Sequence, residues 1–291
     1  MIIDAHNHPD WCGHDLTKFL ANMDANGIDV TWLLSWEASP DEVDPATITV
    51  LPGAGEGGPV PFARCLSYVE RAPGRFVPGY CPDPRRPGAI DRLKAMKDSY
   101  GVRVCGELKL RMMCDDWDAL RLYRFCGREG LPVIVHLDYE IDTGTAWPRP
   151  NWWYGGGIEA FERAVRACSD TVFLGHAPGF WAHISGDDRF DKEIYPEGPV
   201  LPGGKLVAMM RQYPNLCCDL SARSAWNALN RDRAFSREFL LEFQDRVLYA
   251  RDSFDSIHRE LLEGLGLEAG VLAKIYAGNA LRLVPLDRAR S

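Results

Sequence analysis

The chain has 291 residues, of which 46% are hydrophobic and 25% charged, and its formal net charge is -8. That length suffices for one large α/β domain with a fully buried core, spanning residues 1–291. An acidic chain with no run of Lys or Arg lacks the electrostatic footprint of a nucleic-acid binder. No apolar stretch approaches the length needed to cross a bilayer. Asp4 and His6 interrupt the N-terminal apolar run, so it does not read as a signal peptide, and a cytoplasmic protein is expected.

The elements follow in order. Ile2 to His6 reads as a short strand, and Leu16 to Asn26 as a helix ended by Gly27. Val30–Ser35 is strand two, before a long loop over residues 38–61 that holds the glycine-rich stretch 53–58. Phe62–Arg71 is a helix, Phe76–Cys81 strand three, and Pro87–Ser99 a helix with Ile90, Leu93 and Met96 at helical spacing. Val102–Leu110 is strand four, Trp117–Glu129 a helix, and Leu131–Leu137 strand five. An aromatic loop with Trp147, Trp152, Trp153 and Tyr154 precedes a helix over Ile158–Cys168. Thr171–His176 is strand six, followed by a long loop to Gly203 and a helix over Lys205–Gln212. Asn215–Leu220 is strand seven, Ser236–Gln244 a helix, and Arg246–Ala250 strand eight. Helices over Ser256–Leu265 and Glu268–Ala277 complete the pattern.

Eight short apolar strands alternating with helices require parallel strands and crossovers. In a chain of this size they predict a single (β/α)8 TIM barrel. An open doubly wound sheet would need a glycine-rich phosphate turn directly after a strand; Gly155-Gly156-Gly157 follows a loop instead. In such a barrel the chemistry sits at the C-terminal ends of the strands.

Polar residues do gather there. Strand one ends at His6 and His8, which period two places on one side with Asn7 pointing away. Strand four ends near Glu107 and Lys109, strand five at His136 and then Asp138, and strand six at His176. Strand seven ends at Asp219, Ser221 and Arg223, and strand eight at Asp252. Four of seven histidines thus fall at strand ends, and together with Asp252 they make a ligand set for a zinc-like divalent ion. Each residue also has a plainer reading. His136 and His176 could be core histidines, and Asp252 could pair with Arg251 or cap a helix near Ser253. Strand four alternates Val102, Val104, Leu108 and Leu110 against Arg103, Cys105, Glu107, Lys109 and Arg111. The apolar set is expected to meet the helices and Glu107 to point inward, as a further or bridging ligand allowing two ions, or else paired with Lys109. His14 and His183 are candidate loop contributors, and His258 reads as a surface residue. The nine cysteines contain no Cys-x-x-Cys pair and read as reduced thiols, mostly core residues. Cys217 and Cys218 are expected to face opposite ways, and Cys12 lies in the loop just after the histidine pair.

An ordered set of motifs carries a resemblance: Ile-Asp-Ala-His-x-His at the start, Val-His on strand five, Leu-Gly-His-Ala-Pro-Gly-Phe on strand six, Arg-Asp-Ser-Phe on strand eight, and Ile-Tyr-Ala-Gly-Asn-Ala-Leu-Arg-Leu near the end. This set is similar to the amidohydrolase superfamily, and looks most like the amidohydrolase-related branch that also contains metal-dependent decarboxylases. The resemblance implies a metal-dependent barrel enzyme with His6, His8, His136 and Asp252 at ligand positions. It implies for His176 either a ligand or a catalytic histidine. Glu107 departs from the carboxylated lysine that bridges two metals in some members, which leaves one or two ions, zinc or alternatively manganese.

Three functions follow as expectations. The leading one is hydrolysis of a small-molecule ester, lactone or amide by metal-activated water, with Asp252 moving the proton and His176 binding the metal or steadying the oxyanion. The second is non-oxidative decarboxylation of an aromatic acid, and the third a non-catalytic barrel with a structural metal. Lys109, Asp138, Arg223 and Trp153 are the candidate substrate-binding residues. A small-molecule substrate, no nucleic acid, no membrane and a homodimer are the expected partner assignments.

Overall fold

The computed structural model describes residues 1–43, 59–138 and 154–286. Within them, eight parallel strands form a closed (β/α)8 barrel. The strands are β1 (Ile3–Asn7), β2 (Val30–Leu34), β3 (Phe76–Gly79), β4 (Cys105–Leu108), β5 (Val133–His136), β6 (Phe173–His176), β7 (Leu216–Asp219) and β8 (Val247–Leu248). Continuous ladders join β1 to β3 and β4 to β8. Two seams complete the circle. Between β3 and β4, Tyr80 N donates to Val104 O at 3.0 Å and Arg103 N to Pro78 O at 3.1 Å. Between β8 and β1, Ala5 N donates to Tyr249 O and Asp252 N to His6 O, both at 2.9 Å.

The helices are α1 (Leu16–Ala25), α2 (Phe62–Arg71), α3 (Ala89–Tyr100), α4 (Trp117–Glu129), α5 (Gly157–Ala167), α6 (Pro178–Trp181), α7 (Lys205–Gln212), α8 (Ala222–Asn230), α9 (Arg233–Glu242), α10 (Ile257–Gly264), α11 (Ala269–Ala273) and α12 (Asn279–Leu283). Local chemistry sets their ends. Asp15 caps α1 by accepting from Lys18 N, Asp116 caps α4 by accepting from Asp118 N, and Gly130 ends α4 at a positive φ of 67° that favours glycine.

The strands are shorter than their apolar runs, whose buried residues, such as Leu137, Leu220 and Ala250, continue into the flanking turns. Two differences from the predicted elements are larger. The stretch after strand six contains α6 and a turn of tighter helix over Ala182–Ile184. Residues 222–230 form α8, in a stretch between strand seven and the following helix to which no element is assigned from the sequence; it buries Ala225, Ala228 and Leu229. The expected glycine-rich rim at 53–58 and Trp147, Trp152 and Trp153 lie outside the described residues.

Two apolar layers organise the packing. The barrel interior is filled by Ile3, Val30, Trp32, Val77, Ile134, Leu174 and their neighbours, and a larger cluster lies between strands and helices. Cys217 joins the inner layer and Cys218 the outer one, as alternation predicts.

Candidate metal centre

Strand phase aims the polar residues. On β5 to β8 the alternation runs unbroken, from Ile134 to His136, Leu174 to His176, Cys217 to Asp219, and Leu248 through Ala250 to Asp252, each pair starting from an interior residue. On β1 and β4 it does not. Ile3 and Ala5 both face the interior, so strict alternation would send His6 outward beside Asp4. The pairing of β1 with β2 slips between Asp4 and Asn7. Asn7 then shares a side with Asp4, to which its Nδ2 donates at 3.3 Å, and His6 and His8 turn to the mouth.

Strand four corrects the predicted faces in the same way. Val104, expected to meet the helices, lies in the interior layer, and Cys105, expected inside, lies in the outer one. A slip in the pairing with β5 between Cys105 and Leu108 reverses the phase, so Glu107 points inward and Leu108 outward. Local irregularities of this kind re-aim side chains, and here they fall on the two strands whose plain alternation would have misdirected them.

The result is a buried cluster. His6, His8, Glu107 and His176 are at most 4% exposed and His136 is 8% exposed. Three overlapping sets, His6/His8/Glu107, His6/His176/Asp252 and Glu107/His136/His176, each bring ligand atoms within 4.8 Å of one another. Glu107 faces these imidazoles, not Lys109. Its Oε1 lies 2.7 Å from His136 Nδ1, 3.4 Å from His176 Nε2 and 3.9 Å from His6 Nε2, and its Oε2 lies 3.4 Å from His8 Nε2. Asp252 Oδ1 is 3.8 Å from His8 Nε2. Arg251 pairs with Asp4 at 2.9 Å, which removes the expected alternative partner of Asp252.

Hydrogen bonds on the far ring nitrogens fix three tautomers. His6 Nδ1 lies 2.9 Å from Asp219 Oδ2, and His8 Nδ1 lies 2.9 Å from Leu34 O. Both partners are acceptors, so each Nδ1 carries the proton. Ser221 Oγ, with one proton, lies 2.6 Å from Asp219 Oδ1 and 2.7 Å from His176 Nδ1. An ionised carboxylate can only accept, so the serine donates to Asp219 and accepts from His176 Nδ1–H. All three Nε2 lone pairs are therefore bare and directed towards Glu107. His6 Nε2 and Asp252 Oδ1 are buried without a hydrogen-bond partner.

Charge follows the same plan. Burial opposes ionisation of Asp219, yet His176 and His6 hold its carboxyl well below the usual carboxylate range. Burial likewise works against ionised Glu107, and His136 chief among its neighbours outweighs it, again well below the usual range. Burial and His176 oppose protonation of His6, but Asp219 turns the net shift upward.

The mouth holds other predicted residues less closely. Asp138 Oδ2 is 3.7 Å from His136 Nε2. Arg223 is exposed at the start of α8, 5.4 Å from the Trp226 ring. Lys109 Nζ stands 4.3 Å over the Trp36 ring. Trp153 is outside the described residues. His14 stacks on Phe254 and His183 meets the Phe190 ring at a tilt of 37°; neither joins a candidate metal group among the described residues. His258, expected at the surface, is 3% exposed, with Nε2 2.9 Å from Ala222 O. The helix face that carries it turns inward because Leu261 and Leu262 do. Two contributors had no assigned role in the sequence. Asp219 and Ser221 stood visibly at a strand end, but their histidine partners are 213 and 45 residues away.

The comparisons agree with this architecture. A TIM-barrel protein of Bordetella bronchiseptica aligns with 18% identity over 97% of each chain, TM-score 0.65. A dihydroxybenzoic acid decarboxylase from Polaromonas sp. JS666, solved with bound manganese and 2-nitroresorcinol, aligns with 17% identity over 99% of this chain and 98% of that one, TM-score 0.61. A proposed 2-pyrone-4,6-dicarboxylic acid hydrolase from Pseudomonas putida aligns with 14% identity over 97% and 96%, TM-score 0.61. At these identities the likeness is one of fold. No curated protein matches the sequence. The Amidohydrolase family profile matches residues 3–286, nearly the whole chain, so this protein belongs to the Amidohydrolase family.

Proposed function

We propose that this chain is a divalent-metal-dependent hydrolase acting on a small-molecule ester, lactone or amide at the barrel mouth. The observation that carries the reading is the set of bare imidazole lone pairs. Three Nε2 atoms face one buried carboxylate, and such an arrangement repels unless a cation lies among them. His6, His8, His136, His176 and Glu107 would hold the ion, with Asp252 at its edge. A zinc- or manganese-type ion bound there supplies Lewis acidity, polarising a carbonyl and lowering the pKa of water towards about 7.

The chain's own residues do the rest. Asp219 accepts from His6 Nδ1 and faces His176 Nδ1 both directly at 3.2 Å and through Ser221, which keeps both rings oriented. The Asp252 side chain is 14% exposed, so it reaches both the cluster and the open mouth. It can take a proton from an entering water and return it to the leaving group.

Decarboxylation of an aromatic acid is the second reading. What favours it is the aromatic frame around the cluster, with Trp11 5.3 Å from the His8 ring and Tyr154 5.7 Å from the His136 ring.

The test has two stages. Elemental analysis is expected to find one or two zinc or manganese ions per chain, lost in His6→Ala, with Glu107→Ala separating one ion from two. Metal retained in every variant would overturn the site. The loaded protein is then offered lactones, esters and hydroxybenzoates, with acid release and carbon dioxide release followed separately. Acid release from a lactone or ester supports hydrolysis; carbon dioxide alone supports the second reading.

A further inference from the structure

Lys109 is the charged group beside the cluster that the proposed chemistry leaves unused. Leu108 and Leu110 on either side of it pack into the outer layer, so alternation turns Lys109 to the side of Glu107. It is 9% exposed. Its Nζ lies 4.3 Å from the Trp36 ring centroid and 5.4 Å from that of Tyr154. Both rings are pinned: Trp36 Nε1 donates to Lys109 O at 2.7 Å, and Tyr154 Oη to Glu42 O at 2.8 Å. The Tyr154 ring also meets His136 nearly edge-on, which links this frame to the histidine cluster.

Two aromatic faces steady an ammonium but accept none of its three N–H donors in the way an anion does. Among the described residues no carboxylate lies within ion-pair distance of Lys109. Lysines this deeply buried are rarely left unpaired. Among the described residues the usual anionic partner is thus absent on the Glu107 side, to which alternation turns Lys109.

We propose that Lys109, framed by Trp36 and Tyr154, is the anion subsite of the mouth, and that the substrate is a small carboxylic acid. Its carboxylate pairs with Lys109 while its reacting group lies against the histidine and Glu107 cluster. This rests on the reading of that cluster as the reaction centre. The same charge chemistry would accept a phosphate ester, so the experiment compares the two.

Benzoate and phenyl phosphate are titrated calorimetrically into the wild type, Lys109→Met and Lys109→Arg, each metal-loaded and chelated, with metal content measured in parallel. Benzoate is expected to bind the wild type in both states, at least 10-fold more weakly to Lys109→Met, and near wild-type strength to Lys109→Arg, with metal content unchanged. Lys109→Gln answers the same question if the Met variant does not fold. Equal benzoate binding by wild type and Lys109→Met, or none by the wild type, overturns the proposal. A preference for phenyl phosphate overturns the carboxylate assignment. Lys109-dependent binding in a protein that holds no metal supports the subsite and fails only the metal reading, so the two are told apart.

Discussion

At the scale of single residues, Ser221 is the sharpest case. Its hydroxyl bridges Asp219 Oδ1 and His176 Nδ1, which also face each other directly at 3.2 Å. Ser221→Ala removes this bridge and leaves only the longer direct contact with Asp219 to orient the His176 ring. Outer hydrogen-bond partners of metal-binding histidines typically contribute about 10–100-fold in affinity. Chelator competition is expected to show a loss in that range for Ser221→Ala, with recovery in Ser221→Thr; no change in Ser221→Ala would show that the tautomer is set elsewhere. His183 makes a different prediction. Burial, then Lys205, pushes its pKa down from 6.5 to about 4. The folded state therefore binds the proton less readily than the unfolded state. The stability this contributes is whole above pH 6.5 and declines as pH falls from there towards 4. The full window corresponds to roughly 3 kcal/mol. Urea midpoints should fall over that range, and more steeply in the wild type than in His183→Gln. The four strand-end histidines were legible in the sequence because local spacing puts them there. The roles of Asp219 and Ser221 were not, because those roles exist only across strands.

At the scale of elements, periodicity predicted which strands exist but not their phase at two of them. Composition cannot distinguish the inward Val104 from the outward Leu108, since either would be content in either layer. The slip on β4 is a property of its pairing, so only a neighbouring strand reveals it. Close packing also reaches the site through β6. A Cβ added at Gly175 would lie 2.3 Å from the Phe180 ring, and the next residue is His176. Gly175→Ala is expected to displace Phe180 and cost about 1–3 kcal/mol. Denaturant unfolding measures this cost, and metal affinity should fall with it; an unaltered protein would show that α6 yields freely.

At the scale of the molecule, closure depends on a buried ion pair. Arg251, just past β8, binds Asp4 of β1 through Nε and Asn22 of α1 through Nη1 at 2.8 Å, and is fully buried. Removing one partner leaves the other charged and unmet, a loss of about 3–5 kcal/mol. Arg251→Met should show that loss in chemical unfolding, whereas a cost below about 1 kcal/mol would mean that the ladders alone close the barrel. On the proposed reading, metal held by the assembled cluster should add to the same stability. At a free concentration 100 times the dissociation constant it contributes about 2.7 kcal/mol, which a melting scan before and after chelation detects.

The seam between β8 and β1 also bears on the order of events during synthesis. Asp252 N–H reaches His6 O, and Asn7 Nδ2 reaches Ser253 O across 246 residues at 2.9 Å. His6 and His8 are made well before the groups that complete their surroundings, which lie some 246 residues later along the chain. Until β8 emerges, β1 is an open edge able to pair with another nascent chain. Such distant contacts also make closure a slow step. A ribosome stalled before residue 247 would thus hold a chain with most of its imidazoles made and one edge uncovered, at its most aggregation-prone just before the ring shuts.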